Sequence, residues 1–589
     1  MQALMVDRTN ATRNGVICVF LFAVCFLVSW PVAEMGFNDD WSYIKSAQVF
    51  AQTGHLVYNG WATAMLGWQI AWGALFVRIF GFSFTAVKIS TLPIAMGALL
   101  LFHIIQNRFG ISPRNAVIGT LTLGLSPMFM PLAASYMTDV PGLFVELLCL
   151  YLCQRAVAAS TRKAAIAWLS CAAASSLVGG TARQIAWLGV LVMVPATGWF
   201  LRKRRGVLLS SSFLWAGGFM GVLWCSHWFA AQPYSIPERI PNLRSLHLLD
   251  PAEPLFLILS EILCLMLMVF PVLVGWLPAI RRAKMPDVLL ITYTLLIWAV
   301  YQLLSKSALP WIGNIILLEF SSERDATAVW SFQHFSLPFA ARFVGSLLVI
   351  AAALVFLAIA HLKFRHVDTP RFLARRDAAF WLLGPFMLSY LVLLLPRALL
   401  ADILDRYALG LLPFAIIIFS RLYQDWVARD LPVICVFTVA LYAVLGIAGT
   451  HDWFAWQRAR LEAINEVRAT GVRRTEIQGG LEYDGWTQIE NGEHVNNPLI
   501  EFPKGSFNPN SEVPQVAEDC SMAFAIYTPV VHPRYSTVFQ PKWCLQPTQF
   551  APVQYHAWLP PFRRTIVVQG IPLSGPADTS DPRQPLAEK

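Results

Sequence analysis

The sequence predicts a polytopic α-helical membrane protein of about thirteen spans, followed by a soluble α/β domain. Three observations predict it. Apolar residues fill 56% of the 589 positions and charged residues only 13%, against about 25% charge in soluble domains. Apolar runs of roughly 17 to 25 residues recur up to about position 450, each long enough to cross a bilayer. From His451 onward the composition turns polar, with loops rich in Pro, Gly and Asn. The net charge of +9 does not indicate a nucleic-acid partner, because basic residues collect in the short loops between spans, as the positive-inside rule requires. No P-loop or dinucleotide-binding glycine pattern is present.

Taken in order, the N-terminus with Arg8 and Arg13 is assigned to the cytoplasm, and the first span runs roughly over 16–32. That run lacks a small-residue cleavage site and is read as a span rather than a leader. The first external loop, about 34–84, is too aromatic for a plain span; Trp61, Trp68 and Trp72 suggest short helices at the interface. Later spans alternate so that Arg108/Arg114, Arg155/Arg162/Lys163, Arg202–Arg205, Arg281–Lys284, Lys363–Arg376 and Arg421–Arg429 all fall inside. Asp39, Asp40, Asp139, Arg183, Arg406 and the C-terminal domain then fall outside. Trp311–Phe320 is too short to cross and is read as an interfacial helix or lid. Residues 1–450 form the membrane domain, 451–575 the extracytoplasmic α/β domain, and 576–589 a Pro-rich tail expected to be disordered. In the α/β domain a helix over His451–Arg474 precedes strands at Arg474–Glu482, Met522–Val531, Ser536–Lys542 and Arg564–Val568.

The unusual charges lie on one face of the membrane. Gly36-Phe37-Asn38-Asp39-Asp40-Trp41-Ser42-Tyr43 puts two carboxylates directly after a span, where charge is costly and marks a functional site. Tyr136-Met137-Thr138-Asp139-Val140-Pro141 forms a tight outer loop, and Asp405-Arg406-Tyr407 opens a late span. Simpler readings exist. Asn38 or Asp39, and Thr138 or Asp139, can cap helices, Arg183 and Arg406 can anchor at headgroups, and Tyr43 and Tyr407 can belong to an aromatic belt. Glu146 and Glu261 fall inside spans and need partners. His103 and His227 are read as packed, hydrogen-bonded residues. Lys88 and Arg78 flank the second span on the outer side, a breach of the charge rule that a lipid phosphate would explain. Eight of the ten cysteines lie in spans; Cys520 and Cys544, in the polar region, invite a disulfide.

In their order and sidedness these three motifs resemble the Asp-Glu-x-x-Tyr, Asp-x-Pro and Arg-Tyr…Pro elements of GT-C glycosyltransferases, of the protein O-mannosyltransferase and aminoarabinose transferase type. Asp40 stands where that family usually has Glu. The resemblance covers roughly 10–450 and leaves out the C-terminal domain. It implies transfer of a sugar, with inversion, from a polyprenyl-phosphate-linked donor to an extracytoplasmic lipid, glycan or protein acceptor. Asp39 would then be the general base, with Asp40 and Asp139 beside it. Tyr43, Arg183, Lys306, Arg406 and Tyr407 would bind substrate, with Arg239 and Arg244 available on the same side. Asp40 and other carboxylates can share a divalent cation; no metal ligand set is assigned. Membrane lipids are further partners, and the inner membrane of a bacterial-type cell is the expected location. The competing class is a lipid or solute transporter or flippase, which places polar residues near the bilayer midplane in matching halves.

Overall fold

The computed structural model describes residues 8–61, 63–238, 251–315, 338–365, 378–400, 403–500, 502–504, 525–539 and 541–572. Among them, eight helices are long and apolar enough to cross a membrane; a ninth span results if Ala252–Met268 and Phe270–Arg282, bent by 65°, count as one. The other expected spans are Arg8–Val28, Pro113–Gly124 with Phe129–Ala133, Arg162–Gly179, and Gln184–Phe200. Each is helical where expected but short, broken or less apolar. The chain is thus a multi-pass helical membrane protein.

Local chemistry sets the boundaries. Ser83, Ser112 and Thr161 cap their helices by accepting a backbone N–H, and Pro113 follows Ser112 at the first helical position. Gln184–Phe200 passes through 3₁₀, π and α geometry. Its loosened backbone is satisfied by Ser176, whose hydroxyl donates to Ala186 O and accepts from Val190 N, both at 2.8 Å. Irregular backbone at membrane depth persists only with such partners. Asp139–Ala158 lies at the centre, packed on Thr91–Arg108 and Arg162–Gly179. Val207–Ala230 and Met285–Ser305 lie at the edge and turn Phe213, Met220, Leu290 and Ile297 outward, the apolar face that lipid would cover.

The first external loop carries two helices, Asp40–Thr53 and Gly67–Phe80. The last span does not stop at the polar boundary: Ile434–Ala469 is one 36-residue helix that enters the C-terminal domain. Among the described residues, that domain holds five strands. β1 (Ile477–Gln478) runs parallel to β2 (Tyr535–Val538), β2 pairs antiparallel with β5 (Arg563–Gly570), and β3 (Gln546–Pro547) and β4 (Val553–His556) pair antiparallel with β5. The stretch expected as a strand at Arg474–Glu482 is instead a 3₁₀ turn, the two-residue β1 and the start of helix Leu481–Gly492. The described part of Met522–Val531 holds a 3₁₀ turn, Ala525–Tyr527. The sheet docks on the membrane part through Asp452, which accepts from Trp558 N and Leu559 N. A second joint is the buried Arg460–Glu482 pair at 2.9 Å. Cys544 is disulfide-bonded. Cys520, the Pro-rich tail, Arg239, Arg244 and the lid stretch beyond Ile315 lie outside the described residues.

Candidate active site

The acid turn is gripped from three sides. Lys88, 2% exposed, donates to Ala33 O at 2.9 Å and Met35 O at 2.8 Å. Gln457 donates to Gly36 O, and Arg460 lies against Met35. Lys88 therefore ties down the turn rather than meeting a lipid phosphate, while Arg78 donates to Ala51 O at the surface. Asn38 takes positive φ (52°) and donates to Asn314. Asp405 accepts from Ile315 N, so the described start of the Trp311–Phe320 stretch is tied to both motifs.

The two adjacent carboxylates have different duties. Asp40 is fully buried and accepts from Phe37 N at 2.6 Å and Tyr136 N at 2.8 Å, joining the acid turn to the second motif. Burial pushes its carboxyl up to about 7, and the nearby Lys88 ammonium works against that rise. With both oxygens on backbone amides, Asp40 is a bracket between the acid turn and the second motif. Asp39 occupies the position before the helix but makes no capping bond. Its oxygens instead accept from Trp61 Nε1 at 3.0 Å and Arg406 Nη2 at 3.3 Å. Thr138 likewise makes no cap, and Asp139, its side chain 1% exposed, pairs with Arg183 at 2.9 Å. The capping alternative is realised in neither motif.

These groups form one electrostatic cluster. Tyr43 is buried and interacts with Asp39, Arg406, Asp139 and Arg183 together. Burial first, and then the two carboxylates, push its phenol well above the usual range. A cavity of about 360 Å³ opens beside them, lined by Tyr43, Thr138, Arg183, Arg397, Arg406 and Tyr407 among others. Its charged lining is Arg183, Arg397 and Arg406 with Glu238, while Asp39 and Asp139, outside the lining, pair with Arg406 and Arg183. Gly142 makes this possible, because a Cβ there would lie 2.7 Å from the Arg183 side chain. Arg183 also donates to Thr138 Oγ1 at 3.1 Å. Two hydrogen-bonding nitrogens of Arg406, Nε and Nη1, are buried and bonded to nothing among the described residues.

Of the expected site residues, Asp39, Asp139, Tyr43, Arg183, Arg406 and Tyr407 converge here. Lys306 does not: it is an exposed residue of positive φ (49°) at the end of Met285–Ser305 and lines no part of the cavity. Glu146 and Glu261 are buried and carry oxygens without hydrogen bonds, with Glu146 in the field of Arg183 and Asp139. Sequence reasoning gave Arg397 and Glu238 no part in the site, and it placed Trp61 in an interface helix, whereas Trp61 lies between the two loop helices and meets Asp39. Arg397 carried a usable signal, a cation at the outer end of a span. For a metal, the described residues offer no cluster of three or more His, Cys, Asp or Glu able to hold an ion. The oxygens of Asp40 are already committed to amides, so the residues present do not fit the shared-cation expectation.

No family model and no curated protein matches the chain. Solved structures do. The chain overlays ArnT from Cupriavidus metallidurans, solved with undecaprenyl phosphate, at 13% identity and TM-score 0.35, covering 95% of this chain and 99% of that one. It overlays the oligosaccharyltransferase of Archaeoglobus fulgidus at 11% identity and TM-score 0.40, covering 88% and 67%. The arabinosyltransferase EmbB of Mycobacterium smegmatis matches at 14% identity and TM-score 0.34, covering 79% and 44%. At such TM-scores the overlays carry no argument about chemistry, which rests on the site geometry alone.

Proposed function

We propose that this chain is an integral-membrane glycosyltransferase that moves a sugar from a polyprenyl-phosphate-linked donor to an acceptor hydroxyl outside the cytoplasm, with inversion. The observation that carries the reading is Arg406. Its Nε and Nη1 are buried and bonded to nothing among the described residues, on a side chain that lines the cavity with Arg183 and pairs with Asp39. Unmet buried donors on a cation call for an anion of matching geometry, and a phosphate supplies one. In the reaction, Asp39 takes the proton of the acceptor hydroxyl as its oxygen attacks the anomeric carbon. The bond from that carbon to the phosphate oxygen breaks on the opposite face, and the lipid phosphate leaves onto Arg406 and Arg183. Aligned donors at the departing charge stabilise it without reorganisation. Trp61 fixes the other Asp39 oxygen, Asp139 orients Arg183, and no step is routed through a metal.

The test is transfer of labelled sugar from a synthetic polyprenyl phosphate donor by purified protein. Asp39→Asn is expected to lower kcat about 10²- to 10⁴-fold, the usual worth of a general base. Undiminished transfer would remove Asp39 from that role. Lipid or ion translocation without transfer would favour the transporter class instead.

A further inference from the structure

Three guanidiniums face the cavity, and each already has a carboxylate. The three pairs differ in accessibility. Asp139 is 1% exposed and Asp39 19% at the side chain, whereas Glu238, paired with Arg397, is 44% exposed. Asp139 cannot leave Arg183 without stranding a buried charge. Glu238 can swing into water, because an exposed ion pair is weak. Arg397 would keep its aim if that happened: its Nη1 donates to the Tyr407 hydroxyl at 3.0 Å, and its guanidinium lies 5.3 Å from that ring's centre. The opposite side of the same wall brings Arg183 to 5.8 Å from the Tyr407 ring. Glu238 and Arg397 both line the cavity.

We propose that Glu238 is a displaceable counter-ion that holds Arg397 until a phosphate-headed lipid arrives and then yields it, so that Arg397 becomes the third cation on the phosphate. Charge supports the exchange. Among the described pairs, three arginines against Asp39, Asp139 and Glu238 sum to zero, and a polyprenyl phosphate monoester, of about one to two negative charges, brings at least the charge that Glu238 withdraws. The geometry supports it too, since a guanidinium fork meets phosphate oxygens as readily as a carboxylate. Glu238 is thus a positioning residue acting through Arg397, and the inference rests on the lipid-phosphate reading above.

The experiment measures binding of synthetic polyprenyl phosphate to the full chain in lipid nanodiscs, with the uncharged polyprenol as control. Glu238→Gln is expected to bind the phosphate roughly two- to fivefold tighter, the worth of an exposed ion pair, and polyprenol no differently. Arg397→Gln is expected to weaken phosphate binding, and adding Glu238→Gln to it should change nothing further. If the native chain binds the phosphate but Glu238→Gln leaves binding equal or weaker, the exchange is wrong while the functional reading stands. Tightening by Glu238→Gln that persists without Arg397 would overturn the exchange in the same way. If the folded native chain binds no polyprenyl phosphate at all, both fall together.

Discussion

At the scale of single residues, adjacent carboxylates separate into two roles because their backbones and neighbours differ. Asp39 sits at φ −83°, ψ −7°, outside the extended region that capping side chains use, so its oxygens turn to Trp61 and Arg406. Asp40, one position on, is drawn inward by two amides. Sequence alone showed both acids and could not separate them, since every partner but Phe37 comes from 22 to 367 positions away in the chain. The buried acids have a pH signature. Asp40 and Asp484 are both pushed up to about 7, burial being the main cause. Each is protonated in the folded chain at a pH where the unfolded chain has lost the proton. Their contribution is therefore full below about pH 4 and is lost as pH rises through about 7, at about 1.4 kcal/mol per unit of separation. Thermal denaturation from pH 4.5 to 7.5 should show Asp40→Asn with a flatter decline than the native chain. An identical slope would show that Asp40 does not titrate in that range.

At the scale of elements, the helical segments were legible because apolar length is a strong signal, and the alternation of basic loops is what led the sequence to group the three motifs on one expected face. The C-terminal strands were less so. Gly480, at φ 91°, cuts the expected strand after two residues, and the residues beyond it, Leu481–Gly492, form a helix. The last span illustrates the opposite error. Hydropathy changes near His451, but no Gly or Pro occurs between Thr450 and Ala469, so solvent changes while the helix continues. At Gly446 that helix meets the break between Pro113–Gly124 and Phe129–Ala133, where a Cβ would lie 2.7 Å from Leu125 O, a backbone atom that cannot rotate away. Gly446→Val is expected to cost about 1–3 kcal/mol by overpacking. Gly449→Ala, with nothing within 4 Å, should be neutral or slightly stabilising. Equal melting temperatures for the two variants would show that the contact is not tight.

At the scale of the whole molecule, the reading depends on sidedness. Six basic loops on one side and the three motifs on the other follow from one alternation, and the structure keeps the three motifs and the sheet domain together. Exposed positions test the alternation directly. An impermeant thiol reagent should label Gln52→Cys and Arg534→Cys from the extracytoplasmic face, and Lys203→Cys and Arg281→Cys only after permeabilisation. Gln52→Cys and Lys203→Cys reacting from the same face would overturn the topology. The joint between sheet domain and membrane part was beyond sequence, because Arg460, Glu482 and Asp452 read as ordinary charges until their burial is known.

The unbroken Ile434–Ala469 helix also acts as a ruler. At about 1.5 Å per residue, Gln457 stands about 35 Å above Ile434, just past a hydrocarbon layer of about 30 Å. Since Gln457 grips the acid turn through Gly36 O, the length of this one helix fixes how far the Asp39 turn stands from Ile434, whatever the loops do.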